Sequence, residues 1–198
     1  MIDWIKNINK AHPEFWKVYL SKFDKKSDRY VTLSIDATGL NPKKDVILSF
    51  GALAVVNDNI LIGDLFEATI PQYKFLHDND LPSDFLLESE QPKLSEVQAL
   101  EFFINYIGNS TLVGHRINFE IEMINEALER LGCGRLKNEA LDIEVMYKKL
   151  QDNNEKKISL DELASFYKIT KAERTSTTDK AFTIALLFLK LKSRLGLK

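Results

Sequence analysis

Three apolar segments rich in β-branched residues lie within residues 30 to 70, and they constrain the fold more than any other feature. The segments read YVTLSI, VILSFGALAVV and NILIGDLFEATI. Asn57, Asp58 and Asn59 lie between the last two, and such residues are typical of a hairpin turn. The pattern therefore predicts three strands in an antiparallel meander.

The rest of the chain alternates between helical periodicity and one further short strand. Apolar spacing predicts helices over 94–108, 117–132, 142–150, 159–167 and 177–195, and a short buried strand over TLVGH at 111–115. Residues 71–92 have no clear period and are expected to form a loop over one edge. Strands first and alternating helices afterwards predict an α/β fold, a mixed sheet flanked by helices.

The N-terminal region predicts a helix with an aromatic face. Pro13 is acceptable in a first turn, and the apolar residues that follow are at helical spacing: Phe15, Trp16, Tyr19, Leu20 and Phe23. This face is expected to pack on the domain, with partner binding as the alternative. The sequence thus divides into an amphipathic helical extension over 1–29 and a main domain over 30–198.

Composition limits the classes of function. A chain of 198 residues with 44% hydrophobic content is long enough for one sizeable core. Because 27 basic and 29 acidic residues give a net charge of -2, no global charge attracts nucleic acid. The single cysteine, Cys133, excludes an internal disulfide, and neither an apolar membrane span nor a signal core is found. We expect a cytoplasmic protein without a membrane partner.

Three acids lie where core elements end or begin. Asp36 directly follows the first apolar strand, whereas Glu120 and Asp179 are in line with the apolar faces of their helices. Each alone is typical of an ordinary salt-bridging or capping acid. Together they suggest a cleft for divalent metal ions, because two-metal phosphodiester hydrolysis needs several convergent carboxylates.

The order of the motifs resembles the DEDDh class of 3′-to-5′ exonucleases, which includes the proofreading epsilon subunit of bacterial DNA polymerase III, oligoribonuclease and ribonuclease T. The segment SIDATG at 34–39 resembles the family's Asp-x-Glu-Thr-x-Gly, and GHRINFE at 114–120 resembles Gly-His-Asn followed by Phe-Asp. The segment RTSTTD at 174–179, with Ala181 soon after, resembles His-x-x-x-x-Asp followed by Ala.

The resemblance implies a ribonuclease-H-like fold and action on the 3′ ends of single-stranded DNA or RNA. It implies Mg²⁺ or Mn²⁺ bound by Asp36, Glu120 and Asp179, with Ser34 at the place of the metal-bridging aspartate and Arg174 at that of the general-base histidine. Four of these five catalytic positions differ from the family. Ser34 offers no charge to a metal ion and a guanidinium cannot act as a base, so we expect reduced or lost hydrolysis.

The alternative is a non-catalytic module that binds nucleic acid or a polymerase or repair protein. The exchanges at Ser34 and Arg174 would make the cleft more favourable for phosphate without metal. Neither His115, which reads as structural, nor His77, in the 71–92 segment, is a strong replacement base. Basic residues such as Lys168 are most often part of a solvated surface.

Overall fold

A five-stranded mixed sheet forms the centre of the computed structural model, which describes residues 12–71, 93–151, 157–170 and 176–197. Its strands are β1 (Tyr30–Ala37), β2 (Ile47–Val56), β3 (Asn59–Thr69), β4 (Thr111–Gly114) and β5 (Ala140–Asp142), in the order β3-β2-β1-β4-β5. Strands β1, β2 and β3 pair antiparallel, while β4 pairs parallel with β1 and with β5. The predicted meander and mixed sheet are confirmed. The predicted loop, from residue 72 to residue 92, lies outside the described residues.

The hairpin between β2 and β3 turns on two residues with left-handed backbone. Asn57 and Asp58 have φ angles of 49° and 59°. Two positive φ values at the centre of a two-residue loop are typical of a type I′ turn, which Asn and Asp tolerate better than other side chains. The Asn-Asp pair in the sequence therefore determines where the meander reverses.

Six α-helices lie within the described residues. They are α1 (Glu14–Ser21), α2 (Glu96–Ile107), α3 (Asn118–Arg130), α4 (Ile143–Gln151), α5 (Leu160–Phe166) and α6 (Thr177–Leu195), and a 3₁₀ turn at Lys22–Asp24 follows α1. Ser95, Ser159 and Ser176 each form a capping box at the start of α2, α5 and α6, respectively. The helix predicted from Asp142 begins one residue later, because Asp142 ends the unpredicted strand β5.

The sheet separates two apolar clusters, one on each face. Alternate residues of β1 point to opposite faces, so Val31, Leu33 and Ile35 join the cluster that contains Trp16, and Ser34 and Asp36 face the other side. Helices α1, α2 and α3 cover the first cluster, and α4, α5 and α6 cover the second. This three-layer arrangement directs the polar side chains of β1 towards α6.

The aromatic face of α1 is covered by the domain, as the sequence suggested. Trp16 and Tyr19 are fully buried in the first cluster. The Tyr19 hydroxyl donates to Asn138 Oδ1 at 2.7 Å and accepts from the Lys137 backbone N–H at 2.8 Å. A boundary between extension and domain at residue 30 remains a prediction.

Strand β2 and helix α6 approach each other at a glycine. A Cβ atom on Gly51 would lie 2.2 Å from the Thr177 carbonyl carbon and 2.3 Å from the Thr178 nitrogen. Because no side chain fits there, the first turn of α6 rests directly on the sheet, next to the strand that carries Ser34. None of the described helices has the length and apolar character that crossing a membrane requires.

Candidate functional site

A cavity of about 370 Å³ opens at the carboxyl ends of the parallel strands β1 and β4. Clefts at this edge of an α/β sheet are common ligand sites. We call it the strand-end cavity; its lining includes Ser34, His115, Glu120, Ser159, Asp161, Lys180 and Thr183. Two side chains of the predicted site, Ser34 and Glu120, therefore lie in one cavity, although they are far apart in the sequence.

Ser34 and Asp36 reach this region from the same face of β1. Ser34 is 7% exposed. Asp36 lies two residues on, at the end of the strand, and its Oδ1 accepts a hydrogen bond of 2.7 Å from Lys180 Nζ. Ser49 Oγ donates a longer bond of 3.4 Å to Asp36 Oδ2. The Asp36 carboxylate is thus already paired with an ammonium group.

Glu120 lies in the first turn of α3 and is almost fully buried, at 8% exposed. Its Oε2 has no hydrogen-bond partner among the described residues. Burial raises the pKa of Glu120 to about 8, and the negative charge of Asp142 adds to that effect. Near neutral pH this side chain is therefore largely the neutral acid, a poor ligand for a metal cation.

Asp179 is directed at the N-terminus of its own helix. Its Oδ2 accepts hydrogen bonds from the Ser176 backbone N–H at 3.0 Å and from Ser176 Oγ at 2.8 Å, while its own N–H donates to Ser176 Oγ. The next residue, Lys180, lines the strand-end cavity, and Asp179 is not among its lining residues. The structure therefore brings a lysine, and not the predicted aspartate, to Ser34 and Glu120.

Two signals for this difference are present in the sequence. Ser176 followed three residues later by Asp179 is the pattern of a capping box, which directs the acid back to the helix start. In addition, the resembled motif has Ala directly after its aspartate, and here Ala181 directly follows Lys180. Counted from this alanine, Lys180 is at the place of the fourth carboxylate. Arg174 lies outside the described residues.

His115 forms part of the cavity wall through a backbone contact. Its Nε2 lies 2.8 Å from the Ile158 carbonyl oxygen and 3.9 Å from Glu144 Oε2. Because the Ile158 carbonyl holds one nitrogen of the His115 ring, the contact agrees with the structural role expected for this histidine from the sequence. His77 lies outside the described residues.

The side chains of this cavity do not fit a two-metal centre. Across the described ranges, no group of three or more His, Cys, Asp or Glu side chains is arranged to hold a metal ion. Mg²⁺ prefers several charged oxygen ligands, whereas the cavity offers a neutral hydroxyl at Ser34, a largely neutral acid at Glu120, one carboxylate at Asp161 and the cation of Lys180. The ammonium group bound to Asp36 takes up the negative charge that a metal ion would need.

Curated relatives of the chain are DNA polymerase III proteins. It is 30% identical over 164 residues to the DNA polymerase III subunit epsilon of Buchnera aphidicola subsp. Baizongia pistaciae, covering 76% of this chain and 64% of the relative. It is 28% identical over 171 residues to a PolC-type DNA polymerase III of Caldanaerobacter subterraneus subsp. tengcongensis, covering 84% of this chain but 12% of that protein. The chain therefore spans less than two thirds of either relative.

Solved structures with the same fold are exonucleases. A crystal structure of exonuclease I in complex with an inhibitor superposes with a TM-score of 0.68 at 11% identity, covering 87% of this chain and 42% of the other. E. coli exonuclease I in complex with a dT13 oligonucleotide gives a TM-score of 0.66 at 13% identity, with 86% and 42% coverage. At such identities the likeness supports the ribonuclease-H-like fold alone. No protein-family model matches the chain.

Proposed function

Because the chain belongs to the DEDDh-type 3′-to-5′ exonuclease family, we propose that it binds the 3′ end of single-stranded DNA or RNA in the strand-end cavity, with metal-dependent hydrolysis reduced or lost. One observation carries the proposal: Lys180, which lines the cavity together with Ser34 and Glu120, has its Nζ 2.7 Å from Asp36 Oδ1. Family members generally use divalent metals, and this arrangement of charges disfavours the binding of a divalent ion.

The loss of hydrolysis follows from charge. Two metal ions near ~4 Å apart repel each other unless several carboxylates lie between and around them. Here the positive charge of Lys180 neutralises Asp36, and burial keeps Glu120 largely protonated near neutral pH. The Asp161 carboxylate also lines the cavity, but one carboxylate beside the Lys180–Asp36 pair and the protonated Glu120 is too few to hold two divalent ions.

Binding follows from the same groups. An ammonium group already bonded to one carboxylate retains N–H donors, and the Ser34 hydroxyl can donate as well. A terminal phosphodiester that approaches Lys180 can accept these hydrogen bonds from an ammonium group that is also paired with Asp36, on a partly buried side chain where screening by solvent is weaker. The structural neighbour that binds the dT13 oligonucleotide supports single-stranded nucleic acid as the ligand.

The test uses a fluorescently labelled single strand, first in EDTA and then with Mg²⁺ or Mn²⁺. We expect binding without metal, no metal-dependent release of nucleotides, and no rise in Tm when millimolar metal is added. The Ser34→Asp, Lys180→Asp double variant should gain Tm with Mn²⁺, because it supplies two carboxylates. The same strand closed into a circle is the matched ligand without a 3′ end.

Two results would overturn the proposal. Metal-dependent nucleotide release by the unaltered protein, abolished in the Asp36→Ala variant, would establish a working hydrolase. Equal binding of linear and circular strands would exclude recognition of a 3′ end.

A second candidate is a non-catalytic module of a replication or repair complex. The observations that favour it are the polymerase III names of the relatives and a solved exonuclease I–SSB-Ct complex among the structural neighbours. The two candidates differ in their ligand. A module that acts through a protein partner would bind neither linear nor circular strands in the assay above.

A further inference from the structure

A second cleft, of about 610 Å³, lies between the C-terminal ends of α5 and α6. We call it the cationic cleft; its lining includes Phe166, Tyr167, Lys168, Lys190, Ser193 and Arg194. We infer that a single strand whose 3′ end occupies the strand-end cavity continues along α5 and α6 into this cleft, where the cations bind its phosphates and Phe166 stacks on a base. The inference rests on the proposed function, because both sites would hold the same strand.

The charge of the cleft is of one sign. Lys168, Lys190 and Arg194 line it together, and no carboxylate does so among the described residues. Within the same part of the chain, Lys168 and Lys190 form no ion pair, whereas many other cations of the molecule do. A chain with a net charge of -2 thus keeps a local site for a polyanion.

The cleft also presents aromatic surface. Phe166 is 53% exposed, although one edge-on contact joins its ring to buried Tyr167 and another joins it to Tyr147. The Arg194 guanidinium lies 5.0 Å from the Tyr167 ring centre. Cations at helix C-termini also stabilise the helix dipole, but that role does not account for an exposed phenylalanine among them. A basic groove combined with an exposed ring is the usual arrangement for binding a single strand without sequence preference.

The two sites lie along one pair of helices. The start of α5, at Ser159 and Leu160, borders the strand-end cavity together with Lys180 of α6, and the end of α5 borders the cationic cleft together with Lys190. The ten residues from Lys180 to Lys190 correspond to roughly 15 Å of helix. At about 3.4 Å per nucleotide, a stacked strand spans that length with roughly four to five nucleotides.

The experiment compares oligothymidylates of about three and about twelve nucleotides, labelled at the 5′ end, by fluorescence anisotropy in EDTA over a salt series. The triple variant Lys168→Gln, Lys190→Gln, Arg194→Gln should lose at least tenfold in affinity for the longer strand, and its salt slope should fall by about 2, from roughly 0.7 per phosphate contact. Affinity for the three-nucleotide strand should not change. Phe166→Ala should weaken binding of the longer strand several-fold without changing the salt slope.

The matched control removes three charges elsewhere, in the Lys25→Gln, Lys93→Gln, Lys137→Gln variant, and should bind both strands as the unaltered protein does. If the short strand binds but the longer one gains nothing, or if both triple variants behave alike, the cationic cleft is not a binding site and the proposed function stands. If neither strand binds, the proposed function fails and this inference with it.

Discussion

Two buried glutamates occupy equivalent places in this fold and have opposite surroundings. Glu120 lies in the first turn of α3, after β4, and Glu144 in the first turn of α4, after β5. They are 8% and 5% exposed. Glu144 has Arg116 Nε at 2.9 Å, Lys148 Nζ at 3.0 Å and the Ile158 backbone N–H at 3.2 Å, whereas Glu120 Oε2 has no partner among the described residues.

The consequence is a large difference in proton affinity. Although burial alone would raise the pKa of Glu144, its hydrogen bonds from Arg116 and Lys148 lower it to about 2, while the pKa of Glu120 rises to about 8. A fully partnered carboxylate is a structural link, here between the start of α4 and the segment before α5. An unpartnered one beside a cavity is a candidate for binding. Both acids lie in the first turn of a helix that follows a parallel strand, so the distant partners decide the role.

The largest effect is expected for Glu144→Gln. The change leaves Arg116 and Lys148 without their anion, and since Arg116 is half exposed we expect a loss of about 2 kcal/mol in the free energy of unfolding. Because the folded pKa lies below the ordinary value of 4.5, this stabilisation is present above pH 4.5 and is lost as the pH falls towards 2. Urea unfolding at pH 7 and pH 3 measures it. An equal loss of stability at both pH values would show that the ionised Glu144 carboxylate does not provide this stabilisation.

Glu120→Gln is expected to act in the opposite direction. A folded pKa of about 8 means that the unaltered protein loses stability as the pH rises from 4.5 to 8, because the unfolded chain releases this proton first. The variant carries no such proton and should be about 1 to 2 kcal/mol more stable at pH 8, with little difference at pH 4. Thermal unfolding of both proteins across this range measures the change. A difference between them that does not grow with pH would show that Glu120 ionises normally.

The smallest effect on stability is expected for Lys180→Met. Lys180 and Asp36 are both about one-third exposed, so breaking the pair should cost under about 1 kcal/mol. Affinity for a 3′ end in EDTA should nevertheless fall at least tenfold, because the variant removes the cation of the cavity. Lys190→Met is the matched change on the same helix and should leave binding of a three-nucleotide strand unchanged. Loss of affinity in both variants would argue for a general charge effect.

Much of the fold could be predicted from local patterns. The apolar segment that forms β1, the Asn57-Asp58 turn and the start of α5 after Ser159 each depend on neighbours in the sequence. Strand β5 was missed because three residues carry no periodicity, and they form a strand only through pairing with β4.

Part of the site could also be predicted, because it depends on residues that are near one another in the sequence. Ser34 and Glu120, which the motifs single out, line one cavity, and the two-residue spacing of Ser34 and Asp36 puts both on one face of β1. Whether Asp179 or Lys180 enters the cavity depends on the rotation of α6 against the sheet, which the spacing of the motif alone did not fix. The partners of Glu144 lie on three separate segments, and only the folded chain brings them together.

The approach of α6 to Gly51 has a consequence for how this cavity can change. Without a mutation, Asp179 could take the place of Lys180 in the cavity only if α6 turned by about 100° about its axis. The Thr177 and Thr178 backbone, seated on a strand position that admits no side chain, blocks that turn. A carboxylate at the place of Lys180 would therefore need a replacement of Lys180 itself, and Gly51 on the neighbouring strand β2 keeps this lysine in the cavity lining.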